Sequence, residues 1–282
     1  MKAKHSLLML GMAVLSFTAC KKSNDTTATD PNEEATSVQM QKDGAVSDFV
    51  VEDANDLFNQ AADDNNLNGA RPDNSANTNI IPCATVTVTP LSGFPKDVII
   101  DFGTGCTNPI THVTRSGKIM IHITDSLRHT GSVSTMTFDN YYVNLFKHEG
   151  TITWTNTSVA PHRSWTRTVV NGKITAPDGR FWIHNATHSV EQVEGNATPH
   201  NPFDDAFSIT GNSSTTNSNN ITRTHTIITA LHKRVICHNI DMGSVSIVGP
   251  HHTVLLDYGT GTCDNLATIS VDGGAPQTIV LP

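Results

Sequence analysis

CATVTVTPLSGFPKDVIIDFGTGC (83–106) and CHNIDMGSVSIVGPHHTVLLDYGTGTC (237–263) are two versions of one pattern. Each begins at a cysteine, alternates a β-branched apolar residue with Thr or Ser, and turns through a Gly/Pro-rich stretch. Each then returns through an apolar run into D-[FY]-G-T-G and ends at a second cysteine. Alternation with period two, broken by turn residues, is the signature of a hairpin whose side chains face in and out by turns. Folding the first copy about Gly93–Phe94 brings Cys83 near Cys106. Folding the second about Pro250 brings Cys237 opposite Cys263. We therefore expect disulfides 83–106 and 237–263. The chain-entropy gain is about 3 kcal/mol for each loop of roughly 25 residues. A four-thiolate zinc site would call for close CxxC pairs, and the sequence has none. No metal and no cofactor is expected.

The same period extends over the region between the copies. Ile119, Ile121 and Ile123 alternate, as do Met136 with Phe138, Ile152 with Trp154, and Phe181 with Ile183. Turn signals are read at Arg128–Gly131, His148–Gly150, Asn171-Gly172, Pro177–Gly179, Gly195–Pro202 and Gly211–Asn220. About 13 strands result, with no helix long enough for a parallel crossover. The expected fold is all-β: one antiparallel domain over 83–282, a long meander forming a bent sheet, an open barrel or a two-layer sandwich.

Ahead of this domain the pattern differs. Lys2 and Lys4, the apolar run Leu7–Phe17, then Thr18-Ala19-Cys20, have the order of a secretory signal ending in a lipobox. The apolar run is about 11 residues, whereas a spanning helix needs roughly 20. Residues 1–19 are expected to be removed and Cys20 lipidated, leaving the chain anchored in the outer membrane, with its periplasmic or surface facing open. Residues 20–44 read as an acidic flexible tether. Within 45–82, Val46, Phe49, Val50, Leu57, Phe58 and Ala61 recur at three- and four-residue steps. They predict a short amphipathic helix over 45–63 with an acidic outer face, packing on the sheet or capping one end. A breaker-rich loop follows.

Charge supports this division. Residues 23–75 carry 12 acidic and 2 basic side chains, whereas 76–282 carry 14 and 12. Without a basic stripe, nucleic acid is not an expected partner.

Over most of 83–282 the chain resembles an uncharacterised family of Bacteroidetes-type lipoproteins. The resemblance rests on VIIDFGTGCT (98–107), RSGKI (115–119), TFDNYYVN (137–144), HEGT (148–151), FSITG (207–211), LDYGTGTCDN (256–265) and ATISVDG (267–273). It departs at His148, which falls in an expected turn. The resemblance implies the envelope address and the β fold, and no activity.

Catalytic signatures are not apparent. The DFG at 101–103 has no accompanying Gly-rich loop or HRD motif. Asp257, Gly259, Gly261, Asp264 and Asn265 are turn chemistry rather than a calcium loop of EF-hand spacing. Glu191, Glu194, Asp204 and Asp205 are carboxylates without a defined separation. The 14 histidines read as surface residues. His184 and His188 lie too far apart along a strand to chelate, His251 and His252 point to opposite faces, and a cross-strand group such as His112, His122 and His225 stays open. Trp154, Trp165 and Trp182 are expected in the core rather than on a sugar-stacking platform. Thr26 and Ser126 match a bacterial O-glycosylation pattern. The functional expectation is a non-enzymatic structural or binding module of the envelope. A lipid or lipopolysaccharide carrier and a glycan-processing or metal-dependent hydrolase are the alternatives. A glycan, lipid or protein partner is equally open.

Overall fold

The structure is a computed structural model, described for residues 31–65, 67, 83–109, 111–198 and 201–281. Helix α1 spans Pro31–Asp64. The strands are β1 (Thr85–Thr89), β2 (Lys96–Asp101), β3 (Cys106–Thr107), β4 (Thr114–Ile123), β5 (Val133–Val143), β6 (Phe146–Asn156) and β7 (Ser164–Thr175). They continue with β8 (Phe181–Glu194), β9 (Ala206–Asn217), β10 (Thr222–Arg234), β11 (Met242–Val248), β12 (Thr253–Thr260), β13 (Leu266–Val271) and β14 (Gln277–Val280). All fourteen form one antiparallel sheet in near-sequential order, with β3 pairing beside β4. The expected meander is therefore a single open sheet. Between the strands, the described helical structure is one short 3-10 turn at Pro202–Asp204.

The sheet curls around α1. Side chains from β4, β5, β7, β8, β10 and β12 all bond to the helix. Apolar residues of both elements share one core: Val50, Ala54, Leu57 and Ala61 from α1, and Ile100, Ile119, Ile121, Ile152, Ile174, Val254 and Leu256 from the strands. Burying a side chain of this size fully contributes about 1.5–3 kcal/mol. The helix is thus part of the β domain's core rather than a separate segment.

Long strands that wrap a helix must bend, and most of the bends fall on one row, with further shifts at 192/194 in β8 and 229/232 in β10. Register shifts occur at 116/118 in β4, 137/141 in β5, 149/151 in β6 and 169/172 in β7. They resume at 227/229 in β10 and 242/244 in β11. Bulges add local twist and bend the strand. Gly117 (φ 78) faces Asn140 (φ 45), and a Cβ there would lie 2.0 Å from the Asn140 carbonyl oxygen. Gly150 (φ 112) sits over Asn171 in the same way, at 2.4 Å.

Several expectations are corrected here. The helix begins at Pro31, so 31–44 is helix rather than tether; residues 20–30 lie outside the described residues. The acidic face of the helix points inward, because the sheet supplies its counter-charges. His148–Gly150 and Asn171-Gly172 are not turns but bulges inside β6 and β7, and Gly211 lies within β9. A glycine inside a strand marks a bend or a close backbone approach as readily as a turn. Among the described residues, no helix is long and apolar enough to cross a membrane.

Candidate functional site: a charge-paired lumen opening into a cleft

Along α1, Asp43, Asp48, Glu52, Asp53 and Asp56 each meet a partner from the concave wall. Arg180 Nη1 donates to both oxygens of Asp43 at 3.2 Å. The Tyr258 hydroxyl donates to Asp48 at 3.3 Å. Arg167 donates to Glu52. Arg115 holds Asp53 through two nitrogens, Nε at 2.9 Å, and the Tyr141 hydroxyl adds a third bond at 3.2 Å. Lys233 Nζ donates to Asp56 at 3.2 Å. Trp182 Nε1 completes the row on Ser47 Oγ at 2.8 Å. Arg167 and Lys233 are each only 2 % exposed. Removing one partner of such a pair leaves a charge in low dielectric, at a cost of about 3–5 kcal/mol. Burial pushes Asp48 up to about 7, helped by neighbouring Glu52. It pushes Asp56 up to about 6 against the pull of Lys233.

Four histidines line the same wall: His148, His184, His188 and His225, all buried. Burial is the main cause of their depressed pKa values. His148 and His188 fall to about 3, His188 also feeling Arg167, and His225 falls to about 4. His184 falls well below its ordinary value, with His225 and His188 adding to the burial. All four are neutral imidazoles at pH 7. His188 Nδ1 accepts from Arg167 Nη2 at 3.1 Å, and His148 stacks on Phe138 with ring centroids 4.0 Å apart. His225 packs on the helix backbone at Gly44, where a Cβ would come within 2.7 Å of its ring.

The surface reading of the histidines is therefore corrected for these four and for His252. His184 and His188 share the inward face. His122, by contrast, is exposed and bonds Asp97 at 2.8 Å, so His112, His122 and His225 form no group. Of the tryptophans, Trp154 and Trp182 are core, while Trp165 is half-buried.

Beside the C-terminal half of α1 the lumen opens into a cleft of about 520 Å³. Its walls include Leu57 and Phe58 of α1 and Trp154, Trp165, Phe207 and Ile209 of the sheet. The mouth is bordered by segments around Arg128, Pro161 and Ile236. Lys233 shapes this end: besides Asp56, its Nζ donates to the carbonyl of Cys237 at 2.6 Å, fixing the segment that carries His238. Trp154 stacks under the Arg167 guanidinium at 5.1 Å. Its Nε1 is buried without a hydrogen-bond partner. Cavities of this size accommodate small-molecule ligands.

The remaining sequence candidates are dispersed. Cys83–Cys106 and Cys237–Cys263 are joined as expected, with Cα atoms 5.7 and 5.2 Å apart. Asp101 and Asp257, equivalent in the two hairpins, each accept the amide of the glycine two residues on, at 2.8 Å. Asp264 accepts the Leu266 amide. These aspartates are turn caps, as anticipated. Glu191 approaches His162, Glu194 approaches His232, Asp204 takes the Thr198 hydroxyl and Asp205 takes Gln192, so the four carboxylates do not converge. Cys237, Asp241 and Cys263 come together, but their two sulfurs are bonded to each other. Ser126 lies half-buried in a turn, its amide on Asp125. Cys20 and Thr26 lie outside the described residues.

The wall cations Arg115, Arg167 and Lys233 were missed by the sequence reading. A signal existed: Arg167 shares its strand face with Trp165 and Val169, and Lys233 shares one with Leu231. A cation in phase with apolar residues points to the core, and a buried cation demands an acid opposite. Comparison with known proteins adds nothing to this geometry: no family model, no curated protein and no solved structure matches the chain.

Proposed function

We propose that the mature chain is a lipid-anchored protein of the outer membrane that acts by binding rather than by catalysis, holding a small ligand in the cleft beside α1. The cleft carries this reading. Among the described residues the helix occupies the lumen, and the cleft lies toward one end of it with a mixed apolar and polar wall. The acids and bases at its inner end are engaged with one another, which suits a rigid preformed pocket better than a proton-transfer site. The lipobox at Cys20 and the resemblance to Bacteroidetes-type lipoproteins support the address. A lipid carrier is the second reading, favoured by the aromatic and aliphatic share of the wall.

Native mass spectrometry of the chain purified from envelopes tests the binding reading. The wild type is expected to carry a small-molecule adduct. Thr130→Trp, which places a large side chain at the mouth, should lose it. Identical adduct patterns in both proteins would remove the cleft from consideration. For the address, Cys20→Ala is expected to move the protein from the membrane to the soluble fraction; unchanged fractionation would overturn the anchor.

A further inference from the structure

Resting on the cleft as a binding site, we propose that its ligand is an organic anion with an apolar body. Its carboxylate or phosphate head is held by Arg163 and Arg128, and its hydrocarbon or aromatic body lies against Trp165 and Phe207. The proposal rests on a cation of the cleft wall that the protein itself does not neutralise.

Strand β7 and the residue before it show the contrast. Arg163, Trp165 and Arg167 stand at alternate positions, so all three turn to the concave side. Arg167 reaches Glu52 of α1. Two other wall cations are matched in the same way, Arg115 by Asp53 and Lys233 by Asp56. Arg163 is half-buried and meets only a neutral group, its Nη1 donating to Gln192 Oε1 at 3.3 Å. A guanidinium carries five N–H donors, and this bond uses one of them. A cation drawn out of water without an anion is costly. A carboxylate or phosphate relieves that cost through paired, charge-assisted hydrogen bonds.

Arg128 borders the same cleft. It is exposed, and no acid pairs with it among the described residues. The segments that carry the two arginines are braced together. Asn156 Nδ2 donates to the Leu127 carbonyl at 2.7 Å, and the Thr130 hydroxyl donates to the Ser158 carbonyl at 2.8 Å. The Gln192 amide in turn holds the Arg163 carbonyl at 3.0 Å. One further wall acid, Asp205, is held by Gln192 Nε2 at 2.8 Å. It packs against Gly195, where a Cβ would lie 2.0 Å from its Oδ1. Gln192 thus links Asp205 to Arg163 through its two ends. The three helix acids are matched one to one, so Asp205 is set against two arginines and the cleft keeps a positive excess.

The body of the ligand is read from the same wall. Trp165 and Phe207 meet edge to face with ring centroids 6.1 Å apart. Leu57, Phe58 and Ile209 extend this apolar surface. A volume of about 520 Å³ suits a small ligand. Asn55, Asn59, Ser134 and His238 also border the cleft, so a sugar acid is the rival that the experiment must separate.

The mature chain bearing Cys20→Ala, which keeps detergent out of the assay, is titrated by calorimetry with decanoate, decyl phosphate, 1-decanol and glucuronate. Saturable one-to-one binding is expected for decanoate and decyl phosphate, and their ratio reports which head is preferred. Decanol and glucuronate should each bind at least about tenfold more weakly. Arg163→Gln should weaken both alkyl anions about tenfold and leave decanol unchanged, and Arg163→Lys should recover part of the loss. Arg128→Gln, at an exposed position, should cost about threefold. Added salt should weaken the anions and spare decanol, a readout that needs no variant. Thr130→Trp should abolish all binding. Decanol as tight as decanoate, or anion binding indifferent to both Arg163→Gln and salt, overturns the proposal while leaving the cleft a binding site. Glucuronate as tight as decanoate does the same and puts a sugar acid in place of the apolar body. Anion binding that survives Thr130→Trp overturns both readings. No binding by any probe overturns the proposal; joined to an adduct-free protein from envelopes, it overturns the cleft as well.

Discussion

The two disulfide-closed hairpins share a sequence pattern but sit in different surroundings. In the first, Lys96 is buried and its Nζ donates to the carbonyls of Pro90 and Leu91, at 2.6 and 3.0 Å, inside the hairpin's own turn. Its strand β1 is an edge of the sheet, and Cys83 is exposed. In the second, Lys233 reaches from β10 to the Cys237 carbonyl and also to Asp56 of the helix. Cys237 itself is buried and borders the cleft. Similar local sequence thus makes a self-contained clip at one place and a strut between helix, loop and cleft at the other. Function is decided by what a motif is attached to, not by the motif.

The largest effect is expected where the strut breaks. Lys233→Met strands Asp56 and frees the Cys237 carbonyl, and should cost about 3–5 kcal/mol in denaturant unfolding. A cost under about 1 kcal/mol would show that the second hairpin is no more integrated than the first.

Acid should separate the two regions next, by a few kcal/mol. The four lumen histidines have folded pKa values below the ordinary value of about 6.5. Their contribution is fully present above that value and is lost as pH falls toward their folded values, about 3 for His148 and His188. Asp48 and Asp56 act in the opposite sense, taking up protons in the folded state near 7 and 6. They return part of the loss, since linkage favours the state that binds more protons. The histidines outnumber them, so net stability should fall between pH 6.5 and 4. These histidines lie on β6, β8 and β10. Hydrogen exchange at pH 5 should therefore show that part losing protection before β1 and β2. Uniform loss, or rising stability toward pH 5, would contradict the buried neutral histidines.

Removing the bridges sharpens the contrast. Cys83→Ser with Cys106→Ser, and Cys237→Ser with Cys263→Ser, should each cost about 3 kcal/mol. Only the second pair should also weaken ligand binding, because only its loop borders the cleft. Smallest of all, Lys96→Met should cost about 1–3 kcal/mol, with adducts unchanged, since its bonds stay within one turn.

Much of the fold was legible because it is written locally. Alternation at Ile119, Ile121 and Ile123 identifies a strand whatever its neighbours, and the paired cysteines follow from folding each hairpin on its own turn. Gly150 and Gly172 misled because a glycine permits both a turn and a bulge, and only the curvature demanded by a central helix selects the bulge. The acidic stripe of α1 misled for a related reason. An acid between apolar positions faces solvent unless something distant offers a cation, and Arg115, Arg167 and Lys233 lie about 60 to 180 residues away along the chain.

The sequence by itself therefore determined the strands, their antiparallel succession, the two sulfur bridges and the presence of one helix, since each depends on residues close in the chain. Tertiary structure alone decided that the helix is swallowed by the sheet, that acids and histidines line a lumen, and that a cleft is left at one end. Those outcomes turn on charge pairing and packing between residues far apart in sequence, where desolvation sets the sign of every interaction.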